Sequence, residues 1–277
     1  MPKQQSVRRN LEVRTATAAV AIPVLILVIW AGLPWVTIVA ALAAAVAAGE
    51  AGVMAARRGL APSIPVAVVS AAGLVIAGHF AASGAPLYAT VLPAALGGLA
   101  LAAVAALFNG SASKPGSFLA TSGAALYTGG LLLFVPLLRD TANGMEGLYL
   151  LFAGVFGTDI LAYGVGRAFG RHKMAPSISP GKTWEGAAGG LAGGIGAMVA
   201  VSAAFGMDAA VWQVVLLGAV VAAVGEAGDL LESKLKRLAG VKDAGWLVPG
   251  HGGVLDRLDS ILFNIPVLYC FMLWVAS

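Results

Sequence analysis

Four carboxylates occupy positions where a charge is costly. Glu50, Asp159, Glu226 and Asp229 each fall within a run apolar enough to cross a bilayer. A charged group at the centre of a spanning helix costs roughly 2.5–3.5 kcal/mol on insertion scales, which makes such residues candidates for function. The alternative is a carboxylate hydrogen-bonded to a neighbouring helix or lying at the membrane interface, and for Glu50 both readings stand. Glu226 and Asp229 are three residues apart and Ser233 lies four beyond Asp229, spacings that put all three on one helix face.

Two polar stretches carry groups that these carboxylates could work with. The first, 171–186, reads RHKMAPSISPGKTWEG. Its Ser179-Pro180-Gly181-Lys182-Thr183 resembles part of a phosphate-binding P-loop, but that pattern needs Gly at the position of Pro176, and no strand is expected ahead of it. Gly164 and Gly166 fail as a dinucleotide fingerprint because Phe169 stands where the third glycine belongs. What remains is a proline-constrained loop with Ser179, Lys182, Thr183 and Glu185, entering a helix near Thr183. Backbone N–H groups at a helix start suit phosphate. The plainer reading is a Thr183 cap beside basic residues that only mark topology.

The second stretch, 233–259, reads SKLKRLAGVKDAGWLVPGHGGVLDRLD. Lys234, Lys236, Arg237, Lys242 and Arg257 stand among Asp243, Asp256 and Asp259. The run Pro249-Gly250-His251-Gly252-Gly253 lets the backbone approach a ligand closely. Asp256 and Asp259, three apart at the start of the last apolar run, share a face. Carboxylates beside a cluster of cations suggest Mg2+ with phosphates: hard oxygen ligands for the ion, Lys and Arg for the remaining phosphate charge. The alternative is a solvated loop with local salt bridges. His251, flanked by glycines, reads as a hydrogen-bonding group for phosphate or backbone in preference to a metal ligand.

The elements that must position these residues are membrane helices. The chain is 59% hydrophobic and 11% charged, with mean hydropathy +0.90, against about 25% charged in soluble domains. Spans of about 20 apolar residues are expected at 15–33, 35–56, 64–82, 86–108, 118–138, 146–166, 185–205, 210–232 and 258–276, the first two joined by a Gly-Leu-Pro turn at 32–34. This is an all-α, polytopic transmembrane bundle of about nine spanning helices. With the N-terminus in the cytoplasm, every one of the 17 Lys and Arg residues except Arg139 falls on the inner side, as the positive-inside rule requires. The C-terminus is then outside. Residues 1–150 read as a scaffold of spans, and 151–277 as a catalytic region whose inner loops are 167–184 and 233–257. The lone Cys270 cannot form an internal disulfide, and no cleavable leader is expected.

At these residues the sequence resembles the phosphatidate cytidylyltransferases, or CDP-diacylglycerol synthases. The match runs through Ser233, Lys236, Arg237, Lys242, Asp243, Gly245, Pro249 to Gly253, Asp256, Arg257 and Asp259. Upstream, Asp159 to Tyr163, Gly166-Arg167 and Ser179 to Gly186 also fit the family pattern, so the motifs cover about 157–263. The resemblance implies a helical membrane enzyme, a homodimer, that joins CTP to phosphatidic acid and releases CDP-diacylglycerol and pyrophosphate. It implies a need for Mg2+, with a second cation left open, and carries metal binding to Asp229 and Asp256. Those two, with Lys236 and Arg237, are the implied catalytic residues. Asp159, Ser179, Lys182, Thr183, Glu185, Ser233, Lys242, Asp243, His251, Gly252, Gly253, Arg257 and Asp259 are implied for substrate binding.

Two other readings compete. A related cytidylyltransferase could load a different lipid phosphate or a sugar phosphate, and a secondary transporter could use the intramembrane acids as a proton or cation relay. The clustering of charge at one face and the lack of an internal repeat argue against the transporter. No nucleic-acid partner is expected. The Ala- and Gly-rich composition fits a bacterial inner membrane, with the active site facing the cytoplasm.

Overall fold

The apolar runs become helices, and the polar punctuation between them sets their ends. The computed structural model describes residues 19–108, 113–247 and 252–276. An apolar helix α1 (Ala19–Ala31) is followed by α2 (Leu33–Arg57), α3 (Ile64–Ala82), α4 (Leu87–Phe108), α5 (Lys114–Leu132), the short α6 (Phe134–Asp140) and α7 (Gly144–Phe169). A hairpin of β1 (Lys173–Ala175) and β2 (Ser179–Thr183) leads into α8 (Trp184–Phe205), then α9 (Val211–Leu238) and α10 (Leu255–Ala276). Among the described residues eight segments are long and apolar enough to cross a membrane, with α5 and α6 making one broken span, Lys114–Asp140. The span expected at 15–33 begins outside the described residues, and its described part is α1. The turn expected at 32–34 is Gly32, whose φ of 97° separates α1 from α2 in a region open to glycine at little cost.

Two boundaries and one element near the polar stretches differ from expectation. The helix expected to end at 232 continues to Leu238, so Ser233, Lys236 and Arg237 lie on its last turns and not in a loop. The residues there are good helix formers, and Glu232 and Lys236 pair four apart. Gly240, at φ 69°, stops the helix: its N–H bonds Arg237 O and the next N–H, of Val241, bonds Lys236 O, the closing pattern of a Schellman motif. The last helix starts at Leu255 and not at 258, which takes Asp256 and Arg257 into its first turn. A strand, β2, does precede α8, paired antiparallel to β1 with Lys173 opposite Thr183 and Ala175 opposite Ser179. A two-stranded ribbon is all edge, so Pro180 is tolerated in it. The spacing still rules out a P-loop.

The helices that bear the polar groups are held by a seam of small residues. The most extensive helix pairing is α7 with α8. A Cβ at Gly157 would meet Ala197 and Gly193 O, one at Gly190 would meet Thr158, and one at Gly186 would meet Ala162 O. Small residues let membrane helices approach until backbones touch. All six tryptophans are exposed. Trp30, Trp35, Trp212 and Trp274 lie at the helix ends away from the hairpin, whereas Trp184 and Trp246 lie at the hairpin end. This is the distribution of interfacial aromatic belts.

Candidate active site

The close packing of α7 on α8 leaves a cleft where their ends meet β2 and α9. Its volume is about 530 Å³, and Asp159, Tyr163, Arg167, Lys173, Lys182 and Asp229 are among the residues that line it, with Glu226 beside Asp229. Lys182 is the centre of its charge. Its Nζ lies 2.8 Å from Glu226 Oε1 and 2.8 Å from Asp229 Oδ2. Burial pushes this ammonium towards neutrality, but the Asp229 and Glu226 carboxylates outweigh burial and hold its pKa above the ordinary lysine value. Asp229 Oδ1 accepts from Ser233 Oγ at 3.2 Å, which realises the one-face spacing of Asp229 and Ser233. Arg167 donates to Tyr163 Oη at 2.9 Å on the cleft wall.

A second cluster sits deeper, between α9 and α10. Lys236 Nζ lies 2.7 Å from Asp256 Oδ1 and 3.2 Å from Glu232 Oε1. Asp256 Oδ2 accepts from Ala244 N at 2.9 Å and Gly253 N at 2.8 Å. All three side chains are buried, Glu232 completely. Asp259 is half-buried on the same helix and lies within electrostatic reach of Asp229 and Asp159, so it stands between the two clusters.

The described end of the Gly-rich run, Gly252 and Gly253, is held by two carboxylates. Asp256 grips it as described, and Glu50 of α2 accepts from Val254 N at 3.1 Å and Leu255 N at 2.8 Å. A Cβ on Gly245 or Gly253 would run into the Glu50 carboxylate, and one on Gly252 into Asp256. These glycines therefore admit the protein's own acids, where the sequence suggested approach to a ligand. For Glu50 the structure selects the hydrogen-bonded reading.

The expected site residues divide accordingly. Asp159, Ser179, Lys182, Thr183 and Asp229 line the cleft, although Thr183 Oγ1 also accepts from Gly186 N at 3.1 Å and so caps α8. Glu185 is not among the cleft residues: its carboxylate takes the Arg171 and His172 N–H groups and pairs with His172 Nδ1 at 2.5 Å, tying the hairpin to α8. Arg237 spends its guanidinium on Ile178 O and Val241 O, both at 3.2 Å, binding the hairpin to the end of α9. Lys236 and Asp256 pair with each other away from the cleft lining. Lys242, Asp243 and Arg257 are exposed. His251, with Pro249 and Gly250, lies outside the described residues.

Sequence reasoning passed over Glu232 and Lys173, and it gave no site role to Glu226, a candidate by its place in a span, or to Tyr163 and Arg167, which fell within the family pattern. Glu226 was signalled by its three-residue spacing to Asp229, and Glu232 by its four-residue spacing to Lys236 once the helix is known to reach Leu238.

The residues can be tested against a divalent cation. The Lys182 ammonium already occupies the place that a cation shared by Glu226 and Asp229 would take, and oxygens are the donors that Mg2+ prefers. Asp256 Oδ2 is filled by two N–H groups, while Oδ1 faces Lys236 alone. Among the described residues no group of three or more His, Cys, Asp and Glu side chains is gathered tightly enough to hold a metal ion. Donor chemistry fits Mg2+, and loading the site requires Lys182 to move.

The sequence matches the model of the cytidylyltransferase family over residues 12–275. Curated relatives named phosphatidate cytidylyltransferase are similar over part of the chain. One from Brucella abortus is 44% identical over 146 residues, 52% of this chain and 54% of its own. One from Mycobacterium bovis is 40% identical over 161 residues, 56% and 51%. One from Pseudomonas aeruginosa is 43% identical over 157 residues, 53% and 57%. The chain spans about half the length of the curated relatives it matches.

Proposed function

The chain belongs to the cytidylyltransferase family, and on that premise we propose that it condenses CTP with phosphatidic acid to give CDP-diacylglycerol and pyrophosphate. The observation that carries the reading is the cleft, in which Lys182, Lys173 and Arg167 face Asp159, Glu226 and Asp229 at the ends of membrane helices. Both substrates are polyanions, and transfer between them demands chiefly positioning and neutralisation of charge. A lipid phosphate oxygen forms the new bond to the α-phosphorus of CTP, and the bond from that phosphorus to pyrophosphate breaks. The nucleophile is already an anion, so no side chain need remove a proton. Lys173 and Arg167 hold phosphate charge at the cleft wall, and Lys182 exchanges its carboxylate partners for substrate phosphate. In this reading Asp229 and, as the family resemblance implies, Asp256 would hold Mg2+ once Lys182 and Lys236 have released them, and the ion would supply further neutralisation of the triphosphate. The acyl chains stay in the bilayer beside exposed Ile160 and Leu161 of α7.

The same proposal puts the protein in a bacterial inner membrane as a homodimer, with the cleft facing the cytoplasm. Bacterial relatives and the charge asymmetry support the location; the dimer rests on the family resemblance. The test is purified protein in detergent with CTP, Mg2+ and phosphatidate, with pyrophosphate and lipid product measured together. Equimolar products support the reading. Pyrophosphate release only with another lipid or sugar phosphate would move the substrate assignment, and no release with any acceptor would remove the enzyme reading altogether.

A further inference from the structure

We propose that Glu50 is a positioning residue for the nucleotidyl-transfer site, a latch through which α2 fixes the start of α10 and the two glycines packed on it, Gly245 and Gly253. The inference rests on the proposed activity only for its kinetic consequence. Helix starts leave backbone N–H groups without intrahelical acceptors, and these are ordinarily met by a Ser, Thr, Asp or Asn at the cap. At α10 the residues before the helix are Gly253 and Val254, which carry no acceptor. The acceptor instead comes from Glu50, 204 and 205 residues earlier in the chain.

Both carboxylate oxygens are used, one on Val254 N and one on Leu255 N. A carboxylate is favoured there by the positive end of the helix dipole, and bonds from N–H to a charged acceptor are the stronger kind. The contact is also shaped: Gly245 and Gly253 lie flat against the carboxylate, with no room for a Cβ on either. One acid on α2 thus packs against both Gly245 and Gly253. Asp256 follows Leu255 directly, so the register of the first turn decides whether its carboxylate reaches Lys236, Ala244 N and Gly253 N. Asp259, one turn on, inherits the same register. Glu50 touches neither the cleft nor Lys182 and acts only through this turn.

The test uses the full chain in detergent and two variants, Glu50→Gln and Glu50→Leu. Gln keeps the shape and one good acceptor. Leu fills similar volume and suits a membrane helix, so a purely space-filling role predicts that Leu is the better tolerated. The latch predicts the reverse order. One readout is limited trypsin cleavage after the exposed Lys242 relative to cleavage after Arg57 and Arg58. The expected rates rise from parent to Gln to Leu at Lys242 only. The second readout is turnover of CTP and phosphatidate: kcat should fall about tenfold for Gln and further for Leu, the scale of one or two lost charge-assisted hydrogen bonds. Equal cleavage at Lys242 in all three proteins overturns the latch. Graded cleavage with unchanged kcat overturns the positioning role. Graded cleavage with no turnover even in the parent overturns the proposed activity and leaves the latch standing.

Discussion

At Lys182 one ammonium serves two carboxylates, so removing it does two separable things. The structure has it half-buried between Glu226 and Asp229. Lys182→Ala should raise the KM for CTP at least tenfold and also lower the thermal transition, because two acids are left facing each other. Adding Glu226→Gln should restore the transition and leave the KM high. If the double variant recovered CTP use as well, Lys182 would serve the fold alone. The two proposed metal ligands should part company in the same way. Asp229→Asn should abolish turnover in a protein that purifies and melts normally. Asp256→Asn should abolish turnover and also destabilise, since it removes the nearer of the two buried carboxylates that Lys236 faces. Asp208→Asn, in the exposed turn between α8 and α9, should be silent in both measurements.

The pairing of α7 with α8 sets the width of the cleft, and it depends on backbone contact at glycine. Gly193→Leu should separate the helices, since even a Cβ there meets Gly157 O and Leu161; both activity and thermal stability should fall. Gly196→Ala, three residues on in the same helix with nothing within 4 Å of its Cβ position, should be neutral or slightly stabilising, as helical Gly to Ala generally is. A similar loss in both variants would mean that the seam is not the determinant. This is also the scale at which the sequence was most and least informative. Hydropathy found the spans because each must satisfy its backbone within the membrane. The ends of α9 and α10 escaped it, since Glu232 to Arg237 reads as polar whether it forms a loop or a helical turn, and the stop lies in the conformation of Gly240. The hairpin escaped it because β1 and β2 pair over too few residues to show a period. The family resemblance marked Asp229, Lys182 and Asp159 as site residues. That Asp256 and Arg237 spend their charge on the protein's own groups was illegible, because it depends on contacts such as Arg237 to Ile178 O across the chain.

Across the whole molecule, two long-range polar contacts lie at opposite levels that agree with the charge asymmetry. Arg139, the one basic residue off the inner side in the expected topology, donates to Ile29 O near the end of α1 at 3.2 Å. Both belong to the level of Trp30, Trp35 and Trp212. Glu50 reaches the 253–255 turn at the opposite level, on the helix that ends in Arg57 and Arg58. A chain threaded with one span more or fewer between α2 and α10 would put Glu50 and Leu255 on opposite faces, where this contact could not form. The arrangement therefore predicts which loops face which compartment. In a Cys270→Ser background, Ser83→Cys lies in the short turn between α3 and α4, and Trp246→Cys in the loop between α9 and α10, where the native side chain is 88% exposed. In intact cells an impermeant maleimide should label the cysteine at 83 directly. The cysteine at 246 should react only after the membrane is opened. Labelling of both from one side would break the threading, and with it the assignment of the cleft to the cytoplasmic face, where CTP is available. Labelling of 246 from outside and 83 from inside would keep the threading and invert the protein, leaving the charge asymmetry without an explanation.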